Sequence, residues 1–303
     1  MAELDFIARL RALATHPAAR GLLDDAAVLD VGSKRLVLTH DTLVEDMHFL
    51  ATDPAETVAW KLLAVNMSDL AAKGATPIGV LMGYSLRGDA DWDAAFARGL
   101  GAALAHFNVP LLGGDTVSAK ERSLSLTAIG EADGRVPSRS GAREGDALFV
   151  TGVIGDAGQG LKLLQDGRAE PTTLIKAYRL PQPQLAAGKV LSGQVTAMMD
   201  VSDGLLVDAS RLASASDCGA VIDLDALPLS DAFRAVAGSD LSARLAAATA
   251  GDDYQLMFTS SLPLSGMACP VTRIGTMVRG SGLKLMSANR PVPLPDKLGW
   301  LHA

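Results

Sequence analysis

Aspartate recurs in the short polar breaks between apolar stretches: Asp24-Asp25, Asp41, Asp69, Asp115, Asp200-Val201-Ser202-Asp203 and Asp252-Asp253. Taken singly, each is a residue that caps helices or closes turns, and Asp203 before Gly204-Leu205-Leu206 could be only that. Convergence would change the reading. Two carboxylates about 4 Å apart repel by about 4 kcal/mol at an effective dielectric of about 20, so a clustered set is tolerable only around cations. Oxygen donors with no His or Cys at ligand spacing point to hard Mg²⁺, which keeps several waters and completes its shell with substrate phosphates. Asp69 is the sharpest case. It falls on the apolar stripe of Val58, Leu62, Val65 and Ala72, where an ionised carboxylate needs a charge partner or a metal.

Other chemistries fail on spacing. No GxxxxGK[ST] is present, since Gly188-Lys189 is followed by Val190. The glycines from Gly152 to Gly160 do not spell GxGxxG, and Asp156 among them would oppose a pyrophosphate, so a tight strand-to-helix turn stands beside a nucleotide loop as a reading. There is no G-x-S-x-G and no HExxH. Cys218 and Cys269 lack partners at ligand spacing and read as small core residues.

The elements that must position the aspartates alternate between strand and helix. A strand over Arg35 to Thr39 runs into His40-Asp41-Thr42, which places an acid at a strand end. Asp53-Pro54-Ala55-Glu56 reads as N-cap, first-position proline and capping-box acid, opening a long helix that stops near Gly74. Trp92, Phe96, Leu100, Ala103 and Phe107 align on a second helix, and the apolar run that follows ends at Gly113-Gly114-Asp115-Thr116. Strands are expected over Ser123 to Ile129 and Ala147 to Thr151, with a helix from Leu161. Between those strands, residues 131–146 gather Gly, Pro and Arg, including Arg139, and a domain boundary is placed there.

The whole chain has 303 residues, 49% hydrophobic and 20% charged, a composition that folds and whose length suggests two domains. With 34 Asp plus Glu against 27 Lys plus Arg the formal charge is −7, which argues against a nonspecific nucleic-acid grip. The first helix carries Glu3 and Asp5 where a signal peptide needs a basic flank, and no uncharged run is long enough for a membrane span. A cytoplasmic setting is expected.

The ordered set Asp24-Asp25-Ala26-Ala27-Val28, Thr39-His40-Asp41-Thr42-Leu43-Val44 with His48-Phe49, Asn66-Met67-Ser68-Asp69-Leu70-Ala71-Ala72-Lys73-Gly74-Ala75, Gly113-Gly114-Asp115-Thr116, Arg139-Ser140-Gly141, Asp200-Val201-Ser202-Asp203-Gly204-Leu205 and Gly251-Asp252-Asp253-Tyr254-Gln255-Leu256 resembles the thiamine-monophosphate kinase family. That family lies in the ATP-binding superfamily named for aminoimidazole ribonucleotide synthetase. The resemblance implies a two-domain fold, an α/β domain over residues 1–138 and an α+β domain over 139–303, dimerising through strands of the first. It implies that Asp25, Thr39, Asp41, Asp69, Asp115, Asp200 and Asp203 hold several Mg²⁺ ions, and that Gly114, Asp115, Arg139 and Ser202 contact ATP. His48, Asp252 and Trp300 would meet thiamine monophosphate, whose thiazolium cation suits a carboxylate and an aromatic face. The implied reaction gives ADP and thiamine diphosphate, in a homodimer that needs neither nucleic acid nor membrane.

Three positions depart from the family pattern: Leu23 stands where glycine is usual, His40 replaces a small hydroxyl residue, and Asp252 replaces a common Glu. The competing readings are an ATP-dependent enzyme of the superfamily acting on another acceptor, such as selenide or a formylglycinamidine ribonucleotide, and a catalytically silent nucleotide sensor. No reactive Cys lies near the N-terminus to favour selenide.

Overall fold

The computed structural model describes residues 2–300. After a first helix α1 (Ala2–Arg11), the strands β1 (Ala27–Val31), β2 (Lys34–Val44), β3 (Thr76–Leu86), β4 (Leu111–Ser118) and β5 (Ser123–Ala132) form one sheet in the order β1-β2-β5-β3-β4. Helices α2 (Ala55–Ala72) and α3 (Ala90–His106) pack against each other, and α2 lies on one face of this sheet. Along β2 the buried residues Val37, Thr39 and Leu43 recur at period two, so Asp41 between them shares their face, toward α2. His40 and Thr42 point the other way.

The second sheet contains β6 (Ala147–Thr151), β7 (Ala197–Val201), β8 (Gly219–Asp223), β9 (Gln255–Ser260), β10 (Val271–Val278), β11 (Gly282–Ser287) and β12 (Arg290–Val292), ordered β12-β11-β8-β10-β6-β9-β7. Between them run α4 (Asp156–Gln165), α5 (Thr172–Arg179), α6 (Leu185–Leu191), α7 (Leu205–Ala215), α8 (Asp231–Ala237) and α9 (Leu241–Thr249). The pairing of α/β with α+β architecture agrees with expectation. No strand or helix lies between Ala132 and Ala147. Among the described residues no helix is long and apolar enough to cross a membrane.

Four local expectations change. Asp41 and Asp115 lie inside β2 and β4 rather than at strand ends, because the ladders continue through the polar residues. Asp53 does not cap α2. Pro54 occupies that position, and the Asp53 carboxylate instead accepts from the Leu50 amide, Tyr178 Oη and Arg179 Nε. Helix α4 begins at Asp156, so Gly158 and Gly160 lie within it and not in a loop. Finally, α2 is buried nearly all round and not along one stripe, since α6 and β7 cover the side that the first sheet leaves open. Its burial includes Lys61, Asn66 and Ser68, and Lys73 just past its end is buried as well. Gly74, at φ +63, ends the helix where a side chain would be strained.

Candidate active site

A cleft of about 920 Å³ opens between the two sheets, lined from one side by β2, the turn after it and Asp69 of α2, and from the other by the residues after β7 and before β9. Asp41, Asp69, Asp200 and Asp203 all reach it. Burial pushes the Asp41 carboxyl up to about 6, with the Asp25 and Asp203 carboxylates adding to the effect. Asp69 is raised well above the ordinary range by burial and then by Asp41, Asp200 and Asp25. Asp200, at the end of β7, is raised by burial and by Asp25, against a 2.7 Å hydrogen bond donated by Ser68 Oγ. Thr39 Oγ1 donates to Asp69. These carboxylates therefore act on one another, which is the convergence that isolated capping residues would lack.

Cations already in the chain balance the edge of the cluster. Lys73, wholly buried just past α2, lies 2.5 Å from Asp24 Oδ1 and 2.6 Å from Asp25 Oδ2. Burial works against its charge, but Asp25 and Asp24 outweigh burial and the pKa of Lys73 is raised. Arg139 Nη2 pairs with Asp25, while its buried Nε has no hydrogen-bond partner among the described residues. Arg139 and Asp25 do not line the cleft themselves, but an orphaned donor on a buried guanidinium suits an anionic oxygen.

The loop after β7 is held by Asp208, a residue not singled out from the sequence. Its Oδ2 accepts from the amides of Ser202 and Asp203, both at 3.1 Å. Arg211 Nη1 bridges Asp208 Oδ1 at 2.8 Å and Asp203 Oδ2 at 2.5 Å. Burial pushes Asp208 up to about 7, against the pull of Arg211. The signal available in advance was an acid in the first turn of a helix, one residue beyond the apolar run Leu205-Leu206-Val207.

Asp252 and His48 line the same cleft, Asp252 from just before β9 and His48 from the turn after β2. Val44 N donates to His48 Nδ1 at 3.0 Å, which leaves the proton of a neutral imidazole on Nε2. Trp300 lies at the rim, its amide donating to Asp203 O at 2.8 Å. Gly114 and Asp115 are not gathered in. The register Thr42, Ser125, Gly83, Asp115 separates β2 from β4 by three strand intervals, about 14 Å along the sheet. Asp115 is exposed and accepts from the amide of Thr116. Gly114 has a structural reason of its own, since a Cβ there would sit 1.9 Å from Met82 O.

The donors suit Mg²⁺ in kind: they are oxygens, mostly carboxylates, among which Asp41, Asp69 and Asp200 have raised pKa values. Among the described residues no group of three or more His, Cys, Asp or Glu side chains is placed to hold a metal ion by itself.

Known proteins resemble this chain over nearly its whole length. The family model described as AIR synthase related protein, N-terminal domain, matches residues 23–132, and the corresponding C-terminal domain matches residues 143–286. Thiamine-monophosphate kinase of Caulobacter vibrioides is 38% identical over 320 aligned residues, covering 99% of this chain and 90% of the relative. The chain belongs to the thiamine-monophosphate kinase family. The Escherichia coli K12 thiamine-monophosphate kinase is 37% identical, covering 93% and 91% of the two chains. A solved structure described as AaThiL complexed with AMPPCP and TMP superposes with a TM-score of 0.89 at 31% identity, covering 99% of this chain and 97% of that one.

The three departures from the thiamine-monophosphate kinase pattern have structural answers. Leu23 has φ −117, so the freedom of a glycine is not needed there; the left-handed residues are Arg20, Gly21 and Leu22 just before it. His40 turns away from Asp41, and its Nδ1 lies 2.8 Å from Thr127 Oγ1. Asp252 is not a lone counter-ion for a cationic ring. Lys61 Nζ lies 2.8 Å from its Oδ2, and Tyr254 Oη donates to its Oδ1 at 3.0 Å.

Proposed function

We propose that the chain transfers the γ-phosphoryl group of ATP to thiamine monophosphate, releasing ADP and thiamine diphosphate, and that the cleft between the two sheets is where the two phosphates meet. The observation that carries this is the gathering of Asp41, Asp69, Asp200 and Asp203 on one cleft that His48 and Asp252 also line. The relatives bear the name of this activity, and the AMPPCP and TMP in the solved relative are of the same two kinds.

The nucleophile is a phosphate oxygen with a second pKa of about 6, dianionic at neutral pH, so no general base is assigned. The barrier is repulsion between two polyanions. Asp25, Thr39, Asp41, Asp69, Asp200 and Asp203 would hold Mg²⁺, which when bound supplies charge neutralisation between the phosphates. The unpartnered Nε of Arg139 would donate to an ATP phosphate, and Ser202, which lines the cleft, would contact the nucleotide as well. His48, Asp252 and Trp300 would meet thiamine monophosphate, with Asp252 an oriented acceptor of hydrogen bonds and Trp300 an aromatic face. Incubation with ATP, Mg²⁺ and thiamine monophosphate, followed by chromatography, should yield thiamine diphosphate; its absence would sink the reading in favour of another acceptor or a sensor.

The proposal extends to a cytoplasmic homodimer with a domain boundary at residues 138/139. The face of the first sheet away from α2 exposes Ile78 and Leu81, and its edge strand β4 exposes Leu111, Leu112 and Val117. A second copy covering that strand would bring Gly114 and Asp115 to the neighbouring cleft. Only monomer in sedimentation at micromolar concentration would contradict this.

A further inference from the structure

Lys61 lies on α2 with 2% of its side chain exposed. A buried ammonium is costly unless paired and hydrogen-bonded, and each of its contacts here is with a segment of the acceptor end. Its Nζ sits 2.8 Å from Asp252 Oδ2, donates to the carbonyl of His48 at 3.0 Å, and lies 4.1 Å over the ring of Tyr178. His48 precedes α2 in the first sheet's layer, whereas Asp252 precedes β9 in the second. One side chain thus joins two segments that come together only in the folded chain.

The Asp252 corner needs such an anchor. Asp252 has φ +68 and Tyr254 φ +49, conformations that non-glycine residues adopt at a cost and keep only when the surroundings enforce them. The amides of Asp252 and Tyr254 are tied to Ser202 O and Val201 O at 2.7 and 2.8 Å, which fixes the backbone. The carboxylate is fixed separately, by Lys61 on one oxygen and Tyr254 Oη on the other. With Asp252 shorter by a methylene than the usual Glu, its placement depends on these two partners.

We infer that Lys61 is a positioning residue for the acceptor: it sets the Asp252 carboxylate and the His48 turn in one geometry and neutralises that corner, so that thiamine monophosphate is recognised by oriented polar groups rather than by a free counter-ion. This rests on the reading of His48 and Asp252 as acceptor contacts. None of the Lys61 hydrogen bonds or ion pairs goes to Asp41, Asp69 or Asp203 directly, and the link to the Ser202 loop runs only through the backbone of Asp252.

The test is steady-state kinetics with both substrates varied. Wild-type turnover of ATP and thiamine monophosphate checks the functional reading itself; an inactive wild type removes the acceptor site and the role of Lys61 with it. Given an active wild type, Lys61→Met should raise KM for thiamine monophosphate about tenfold or more and leave KM for ATP within about twofold. Combined with Asp252→Asn, it should add little beyond the larger single effect, because the two act as a unit. Lys61→Arg, which keeps the charge but not its place, should show the same split more weakly and carries the test if Lys61→Met does not fold. Equal changes in both KM values, or an additive double variant, would overturn the inference. So would a lowered KM for thiamine monophosphate, which would mean that Lys61 merely competes with the cationic ring for Asp252.

Discussion

Lys73 Nζ lies 2.5 Å from Asp24 Oδ1 with both side chains shut off from water, 0% and 2% exposed, so the chain just past α2 is pinned to the segment entering β1 by a buried ion pair. Asp25 shares the same ammonium. Lys73→Met would leave two buried carboxylates short of their cation and should cost about 3–5 kcal/mol in urea unfolding. A loss below about 1 kcal/mol would mean the pair behaves like a surface bridge. Burial opposes the charge of Asp24, but Lys73 and Arg20 outweigh it and hold its carboxyl down to about 2. Its contribution is therefore complete above about pH 4 and lost as pH falls toward 2.

Asp41→Asn should separate activity from stability. The substitution removes one charge from a crowded set in which the carboxyl is pushed up to about 6, so the ligand-free protein should gain about 1 kcal/mol at neutral pH. Turnover with ATP and thiamine monophosphate should fall by about 10²-fold or more. Parallel kinetics and chemical denaturation decide it; an active variant would remove Asp41 from the phosphate site.

Asp115 offers a test of subunit cooperation. Asp41→Ala and Asp115→Ala should each abolish turnover alone. If Asp115 serves the neighbouring cleft, mixing and reassembling the two variants should restore about a quarter of wild-type activity, since half of the dimers are mixed and each has one intact site. No recovery despite mixed-dimer formation would place Asp115 in its own chain's site or outside the chemistry.

Asp208 holds a loop rather than a substrate. Asp208→Ala leaves the Ser202 and Asp203 amides and Arg211 without their shared acceptor, and should lower stability by about 2–4 kcal/mol in thermal or chemical unfolding. Asp208→Asn, which retains one oxygen for the amides, should lose less. Equal losses would show that the amide contacts contribute nothing.

Asp253 provides a pH signature away from the carboxylate cluster. Burial raises its carboxyl well above 3.8, against the Gly155 amide that both its oxygens accept. The folded chain then holds a proton that the unfolded chain has released above about pH 4, so this group's contribution falls as pH rises toward its folded pKa. Asp253→Asn removes that fall. Its melting temperature relative to wild type should be more favourable at pH 8 than at pH 5, and a pH-independent difference would refute the elevation.

Much of this was legible in advance where the signal is local. The stripe carrying Asp69 and the α3 row of Trp92, Phe96, Leu100 and Ala103 are periodic, and β6 falls on its expected residues. The cap at Asp53 was misread because its carboxylate is taken by Tyr178 and Arg179, more than a hundred positions away. Lys61 escaped notice for a related reason. A lysine on a helix reads as a solvated residue until a second layer is known to cover that side.

The order of the aspartate segments, the elements bearing them and the oxygen-only character of the donors are properties of the sequence itself, since periodicity, capping and side-chain chemistry act over a few residues. Which aspartates meet is decided only by packing. Strand register sets Asp115 apart from Asp41, and burial of both faces of α2 brings Lys61 to Asp252 and Ser68 to Asp200. Those pairings join residues more than a hundred positions apart in the chain. Their energies depend on desolvation, which no single segment possesses until the two sheets close over it.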